Sequence, residues 1–243
     1  MNSYAQRIGM KKTHFMNPHG LSVAGHVSTA HDLALMGRAM IRDFPEAYAY
    51  NKMKEFTVNG ITQHNRNGLL WKDPTVDGIK TGHTSDAGYC LLASAQRDDQ
   101  RLISIVMGIE SKSQSEGFRL REMGNLNLLN WGFRFFENHT IYAAGAKITE
   151  PKVWKGQEEL VQLGVAAPLQ IIVPRGRYQD LKLSMDLPKF VIAPLNKGQK
   201  VGTVRASLDG KVIAERPLVA LTGVEEAGFF GRMWDEFWMW WES

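Results

Sequence analysis

A single cysteine, Cys90, is all the chain has. An intrachain disulfide is therefore excluded, and cysteine usage says nothing about the redox state of the compartment. Cys90 sits in the apolar segment GYCLLASA with no charged neighbour to lower its pKa. It reads as a small buried hydrophobe rather than a nucleophile. The net charge is +4, but Lys and Arg form no run, so nucleic acid is not expected as a partner. No stretch comes near the roughly 20 apolar residues that cross a bilayer. The opening MNSYAQRIGMKKTHF has no apolar run after its first charges and does not read as a signal peptide. His14, His19, His26 and His31 crowd into the first 31 residues, yet no pair has H-x-x-x-H spacing. Loop and capping roles are expected there, with no metal and no cofactor.

What is present is ordinary for a soluble globular protein. The chain has 243 residues, 44% hydrophobic and 22% charged, enough for one large domain or two small ones. In STAHDLALMGRAMIRDF, Ser28 or Thr29 can cap a helix that carries Leu33, Met36 and Met40 and stops before Pro45. Asn59-Gly60 between alternating β-rich flanks predicts a hairpin. GYCLLASAQ and RLISIVMGI, separated by the polar RDDQ, predict two antiparallel strands. A helix with Leu126, Leu129, Phe133 and Phe136 on one face should follow. Beyond about residue 139 the texture becomes short β-rich runs broken by Pro, Gly and Asp209-Gly210, as in a small sandwich or barrel. The expected fold is α+β: an α/β domain with an antiparallel sheet over 1–138, an all-β domain over 139–222 and an amphipathic helix over 223–243.

In VDGIKTGHTSDAGY, the cation, hydroxyl and glycine of Lys80-Thr81-Gly82 lead into an apolar run. A bare tripeptide of this kind is as easily a surface turn. At the head of a strand facing a cleft, however, the ammonium and hydroxyl would receive a carboxylate. Gly82 would let an extended peptide approach the backbone, and the amide of His83 would point where a carbonyl oxygen develops charge.

HGL at 19–21, FTVNGITQHNRNGLLW at 56–71, VDGIKTGHTSDAGY at 76–89, RLISIVMG at 101–108, WGFRFFE at 131–137 and VPRGRYQDLK at 173–182 carry a resemblance that spans essentially the whole chain. It is to the low-molecular-weight penicillin-binding proteins, in the D-alanyl-D-alanine carboxypeptidase branch near penicillin-binding proteins five and six. The resemblance implies a penicillin-binding/β-lactamase-like first domain. It also implies acyl transfer from the D-Ala-D-Ala end of peptidoglycan stem peptides, acylation by β-lactams, and a periplasmic place on the outer face of the inner membrane. Lys80 and Thr81 then bind the terminal carboxylate, Gly82 admits the peptide, and the His83 amide is half of an oxyanion hole. An arginine after the next strand commonly assists, and both Arg119 and Arg121 are candidates.

The chain departs from that pattern at one point. No serine is followed by lysine three places on, or by asparagine two places on. In the family both elements precede the segment matched by MNSY. Met1 is therefore expected to be an internal methionine of a longer exported protein, and the chain alone is expected to be inactive. A non-catalytic wall-binding or scaffolding remnant is the alternative; a β-lactamase would have no use for the β-domain and tail.

Four of the seven tryptophans fall in the last ten residues. At 100° per residue, Phe230, Met233, Trp234, Phe237, Trp238, Trp240 and Trp241 gather on one side. Arg232, Asp235, Glu236, Glu242 and Ser243 take the other, with Met239 out of place. Such a helix either docks on the β-domain or lies in a membrane surface, where indoles prefer the headgroup zone. Its acidic polar face leaves adhesion to aromatic burial.

Overall fold

The computed structural model describes residues 1–241; Glu242 and Ser243, assigned above to the polar side of the tail, lie outside the described residues. The chain forms two compact units, Met1–Phe135 and the remainder from Phe136.

The first unit begins with α1 (Asn2–Arg7) and α2 (Ala30–Asp43). Thr29 caps α2, its hydroxyl accepting the Asp32 N–H at 3.2 Å. Pro45 then starts the short α3 (Pro45–Tyr48) at the first helical position, where its missing N–H costs nothing. The hairpin β1 (Glu55–Val58) and β2 (Ile61–His64) turns through Asn59 and Gly60 at φ +50° and +75°, as expected from Asn-Gly. After α4 (Leu69–Lys72) come β3 (Val76–Thr84), β4 (Gly88–Arg97) and β5 (Gln100–Ile109), an antiparallel sheet with β4 in the middle. The helix α5 (Gln114–Phe135) completes the unit.

This sheet is covered on both faces. Leu91, Ala93 and Ala95 of β4 pack with Leu129 and Phe133 of α5 and with Leu69 and Leu70 of α4. Leu92 packs the other way, with Ile79, Tyr48 and the α2 residues Met36 and Met40. Leu69, Leu91 and Leu129 are at most 1% exposed; each contributes about 1.5–3 kcal/mol by leaving water. A buried polar staple locks α5 in place: Asn125 Nδ2 donates to the Leu91 carbonyl at 3.1 Å, and its Oδ1 accepts from Ser104 at 2.7 Å.

Two expectations change here. The tripeptide does not lead the apolar run. Val76–Thr84 is a strand in its own right, Lys80 lies within it, and the apolar run is the next strand. The turn between them is made by Thr84, whose Oγ1 accepts the Ala87 N–H, and by Gly88 at φ +64°. Phe136 is not on the helix face. It begins β6 (Phe136–Tyr142), whose β-prone NHTIY pairs with a later strand and draws the chain out of the helix.

The second unit continues with β7 (Lys147–Thr149), β8 (Val153–Trp154), β9 (Leu163–Val165), β10 (Leu169–Pro174), β11 (Lys182–Asp186), β12 (Val191–Ile192), β13 (Lys200–Leu208) and β14 (Lys211–Ala220). The order β11-β13-β14-β9-β7 forms one sheet, and the β6–β10 pair packs on its inner face through Leu169, Ile171 and Val173. Alternation along β10 is complete, with buried Leu169, Ile171 and Val173 against exposed neighbours. Asp209 and Gly210, at φ +51° and +75°, close the β13–β14 hairpin. Bridges from Leu195 to Val224 and from Gly156 to Glu226 hold the chain on this unit past residue 222. The last element is α6 (Phe229–Trp241).

Candidate functional site

β3 is the edge strand of its sheet, paired with β4 alone among the described residues. An edge strand leaves every second N–H and C=O free to pair with another extended chain. On this edge Lys80, Gly82 and His83 are exposed, and Thr81 is half-buried. The Lys80 ammonium turns to the Thr81 carbonyl at 2.5 Å, a bond that an arriving carboxylate would replace. Lys80, Thr81, Gly82 and His83 are thus consecutive on one open strand edge, which brings a cation, a hydroxyl and a residue without a side chain together there.

The strand is pinned from behind. Asn67, 2% exposed, donates from Nδ2 to the Gly78 carbonyl at 3.0 Å. Gly78 has no room for a side chain, since a Cβ would fall 2.8 Å from the Tyr48 hydroxyl. That hydroxyl donates to Asp77 at 2.6 Å; burial, with the Asp77 bond, pushes its pKa up. Arg101 closes the cluster on Asp77 at 2.7 Å.

The two arginine candidates separate. Arg119 is exposed on α5, beside Glu116 at 3.9 Å and Met123 Sδ at 3.2 Å. Arg121 is 1% exposed and lies against the strand rather than in open solvent. Its guanidinium donates to the Arg66 carbonyl at 2.9 Å and, in longer bonds, to the Gly82 and Cys90 carbonyls at 3.4 and 3.5 Å. Burial pushes its pKa down, opposed by the nearby Glu122 charge. The geometry makes Arg121 a brace between the 65–68 loop and the tripeptide, with its charge directly behind Gly82. Cys90 is half-buried rather than buried, its thiol directed at the Ala87 carbonyl at 3.3 Å.

His83 stacks on Tyr89 with ring centroids 3.9 Å apart, and Tyr89 meets Phe118 edge-on at 5.7 Å. Tyr89 fills the space beside Gly117, where a Cβ would fall 2.3 Å from its ring. At the end of the strand, Ser22 donates to Thr84 Oγ1 at 3.1 Å, which ties the HGL-containing loop to β3. Gly20, Leu21, Val23 and His26 of that loop line a depression of about 530 Å³ with Thr84, Asp86 and Ala87. Asn67, Tyr89 and Gly117 were not singled out in the sequence. Each acts across the fold, and the NRNG and GY segments carried no local chemical signal beyond the resemblance.

In the second unit, α6 turns its polar side to the segments that follow β8 and β14. Asp235 accepts the Lys155 N–H at 2.5 Å, Glu236 faces Lys155 Nζ at 3.4 Å, and Arg232 pairs with Glu226 at 3.0 Å. Met239, out of place on a simple wheel, is half-buried, as are Arg232 and Asp235. Phe230, Trp234, Phe237, Trp238, Trp240 and Trp241 are between 40% and 81% exposed. No helix among the described residues is long and apolar enough to cross a membrane.

Comparison with known families agrees with this architecture. Residues 1–111 match the D-alanyl-D-alanine carboxypeptidase family model, and residues 136–226 match the penicillin-binding protein 5 C-terminal domain. The chain belongs to the D-alanyl-D-alanine carboxypeptidase family of penicillin-binding proteins. It is 48% identical over 237 residues to D-alanyl-D-alanine carboxypeptidase DacA of Escherichia coli, covering 97% of this chain and 57% of the relative. It is 47% identical to DacC of the same organism, covering 97% and 58%. The solved structure of penicillin binding protein 5 from Haemophilus influenzae superposes with a TM-score of 0.79 at 43% identity, covering 93% of this chain and 64% of that one. The chain thus spans less than two thirds of the length of each of these relatives.

Proposed function

We propose that β3 is the receptor strand of a serine-type D-Ala-D-Ala carboxypeptidase of peptidoglycan maturation. A stem peptide adds as a strand along the open edge, its terminal carboxylate meets Lys80 and Thr81, and Gly82 admits its backbone. The amide of His83 faces the scissile carbonyl as half of an oxyanion hole. Arg121 holds the Gly82 carbonyl and lends positive potential from beneath, while Arg119, further out, adds to the field. β-Lactams, whose carboxylate mimics the peptide end, bind the same edge. The family's attacking serine and lysine lie in an S-x-x-K element, which this sequence does not contain, so the residues of β3 carry substrate binding and the acyl transfer needs that element. The aromatic side of α6 lies in the outer leaflet of the inner membrane on the periplasmic side.

The observation that carries this reading is that Lys80 and Gly82 are exposed, with Thr81 half-buried between them, on a strand edge that pairs with no further strand among the described residues. A peptide ending in D-Ala-D-Ala is expected to bind the chain, and Lys80→Ala to weaken it by roughly tenfold or more, about 1.5–3 kcal/mol for a charged hydrogen bond. Calorimetry with the free acid and with its C-terminal amide measures this. Equal affinity for acid and amide removes the carboxylate role. One observation favours a second reading, a non-catalytic peptidoglycan-binding protein: the lack of any S-x-x-K in this sequence. That form would bind the acid as above while releasing no D-Ala.

A further inference from the structure

β11 stands at the outer edge of the five-stranded sheet and pairs only with β13 among the described residues. All five of its residues are exposed. Leu183 and Met185 lie opposite Ala206 and Val204. Residues directly opposite each other in an antiparallel pair share a face, so these two side chains continue the core face of the sheet. Ala206 and Val204 are 0% exposed, whereas Leu183 and Met185 are 46% and 51% exposed. The core therefore runs out to an open rim. Natural sheets protect such an edge with a bulge, a proline, a covering loop or charged residues; the KLSMD strand has a regular register with no proline, and its only charges, Lys182 and Asp186, stand at its two ends.

The strand is complementary to itself. Placed antiparallel to a second copy about Ser184, Lys182 faces Asp186 at both ends and Leu183 faces Met185 between them. Lys182 makes no ion pair among the described residues. Asp186 shares Arg205 with Glu215, at 3.5 and 3.3 Å, so two carboxylates meet one guanidinium and negative charge is left over. Opposite charges directly across a ladder stabilise it, and like charges oppose it.

We propose that β11 is a self-association edge, pairing antiparallel with β11 of a second copy of this chain about a twofold axis at Ser184. The two sheets join into one, Leu183 and Met185 are covered by their counterparts, and the free N–H and C=O groups of the edge are satisfied. Five residues bury less than a standard stable interface, so the association is weak and depends on concentration. It does not depend on the peptide-binding reading of β3.

The test is made on the full chain carrying Cys90→Ala. Facing Cα atoms in an antiparallel pair are about 4.5–5.5 Å apart, within the span of a disulfide. Ser184→Cys is therefore expected to form a disulfide dimer under mild oxidation. Lys147→Cys, on the opposite edge of the sheet, should not. Equal rates for the two cysteines would mean that collision or the aromatic tail brings the chains together, and would overturn the proposal. In the Ser184→Cys background, Lys182→Asp and Asp186→Lys each place like charges across the twofold. Each is expected to slow its own cross-linking by on the order of tenfold. A one-to-one mixture of the two restores both opposite-charge pairs and should give the mixed dimer at the original rate. A mixed dimer no faster than either homodimer also overturns the proposal. Circular dichroism on each variant checks that the exposed substitutions leave the fold intact.

Discussion

Replacing Gly117 with alanine tests how the helix behind the strand shapes the exposed edge. An added Cβ falls 2.3 Å from Cε2 and 2.4 Å from Cδ2 of Tyr89. Carbon atoms pack at about 3.5–4.0 Å, so the ring must move by more than about 1 Å. It has nowhere easy to go. Tyr89 is 6% exposed, stacked on His83 on one side and set edge-on to Phe118 on another. Overpacking of this kind costs about 1–3 kcal/mol. Alanine in place of glycine within a helix returns about 0.8–1.0 kcal/mol. With the ring boxed in, the cost lies toward the top of that range and the clash wins, with a net loss of up to about 2 kcal/mol, or a fall of up to roughly 8 °C in the melting temperature of this unit. The His83 ring protons should shift at the same time as the Tyr89 ring leaves its stack. The control is Tyr89→Leu. Without the ring, Gly117→Ala should become neutral or stabilising by up to about 1 kcal/mol, because only the helix term remains. Thermal unfolding of the four proteins completes the cycle. Equal destabilisation in both backgrounds would show that the ring contact is not the cause, and a raised melting temperature in the parent would reverse the ranking of the two terms.

Two further expectations concern stability and surface. Asp73, with its side chain 9% exposed, accepts from the Thr75 N–H and hydroxyl at 2.9 and 2.6 Å and from Arg97 at 2.9 Å. Burial alone would raise its pKa, but the Thr75 bonds and the Arg97 charge together hold it below the ordinary value. A depressed folded-state pKa stabilises the protein above the unfolded value of about 4, and that gain is lost as pH falls through the folded one. Asp73→Asn should therefore cost about 1–3 kcal/mol at pH 7 and progressively less below pH 4; a loss that does not shrink in acid denies the carboxylate its part. On the tail, Trp234 and Trp238 are 65% and 40% exposed. Replacing both with serine should weaken sedimentation with neutral phospholipid vesicles by about 2–4 kcal/mol, roughly 30-fold or more, with little effect of salt because the polar side is not cationic. Undiminished sedimentation would rule out these indoles as the adhesive.

Much of the fold could be read from local pattern, because the interactions behind it are local. Asn59-Gly60 and Asp209-Gly210 specify their hairpins through the positive φ angles that only such residues accept readily. Thr29 caps its helix through a bond three residues away. The two apolar runs on either side of RDDQ pair as their spacing requires. The aromatic side of α6 follows from the 3.6-residue period alone, and the family could be recognised from motifs spread along the chain. What the sequence could not supply was the placement of groups far apart in it. That Lys80 lies mid-strand on an edge with no partner among the described residues depends on which strands flank β3. That Arg121 is buried against the Gly82 carbonyl while Arg119 remains in solvent depends on how α5 is rotated against the sheet. That β6 takes Phe136 from the helix depends on its pairing with Pro174, far along the chain. Periodicity and turn chemistry report on neighbours within a few residues, whereas edges, braces and burial come from packing among distant segments, and only the tertiary structure brings those together.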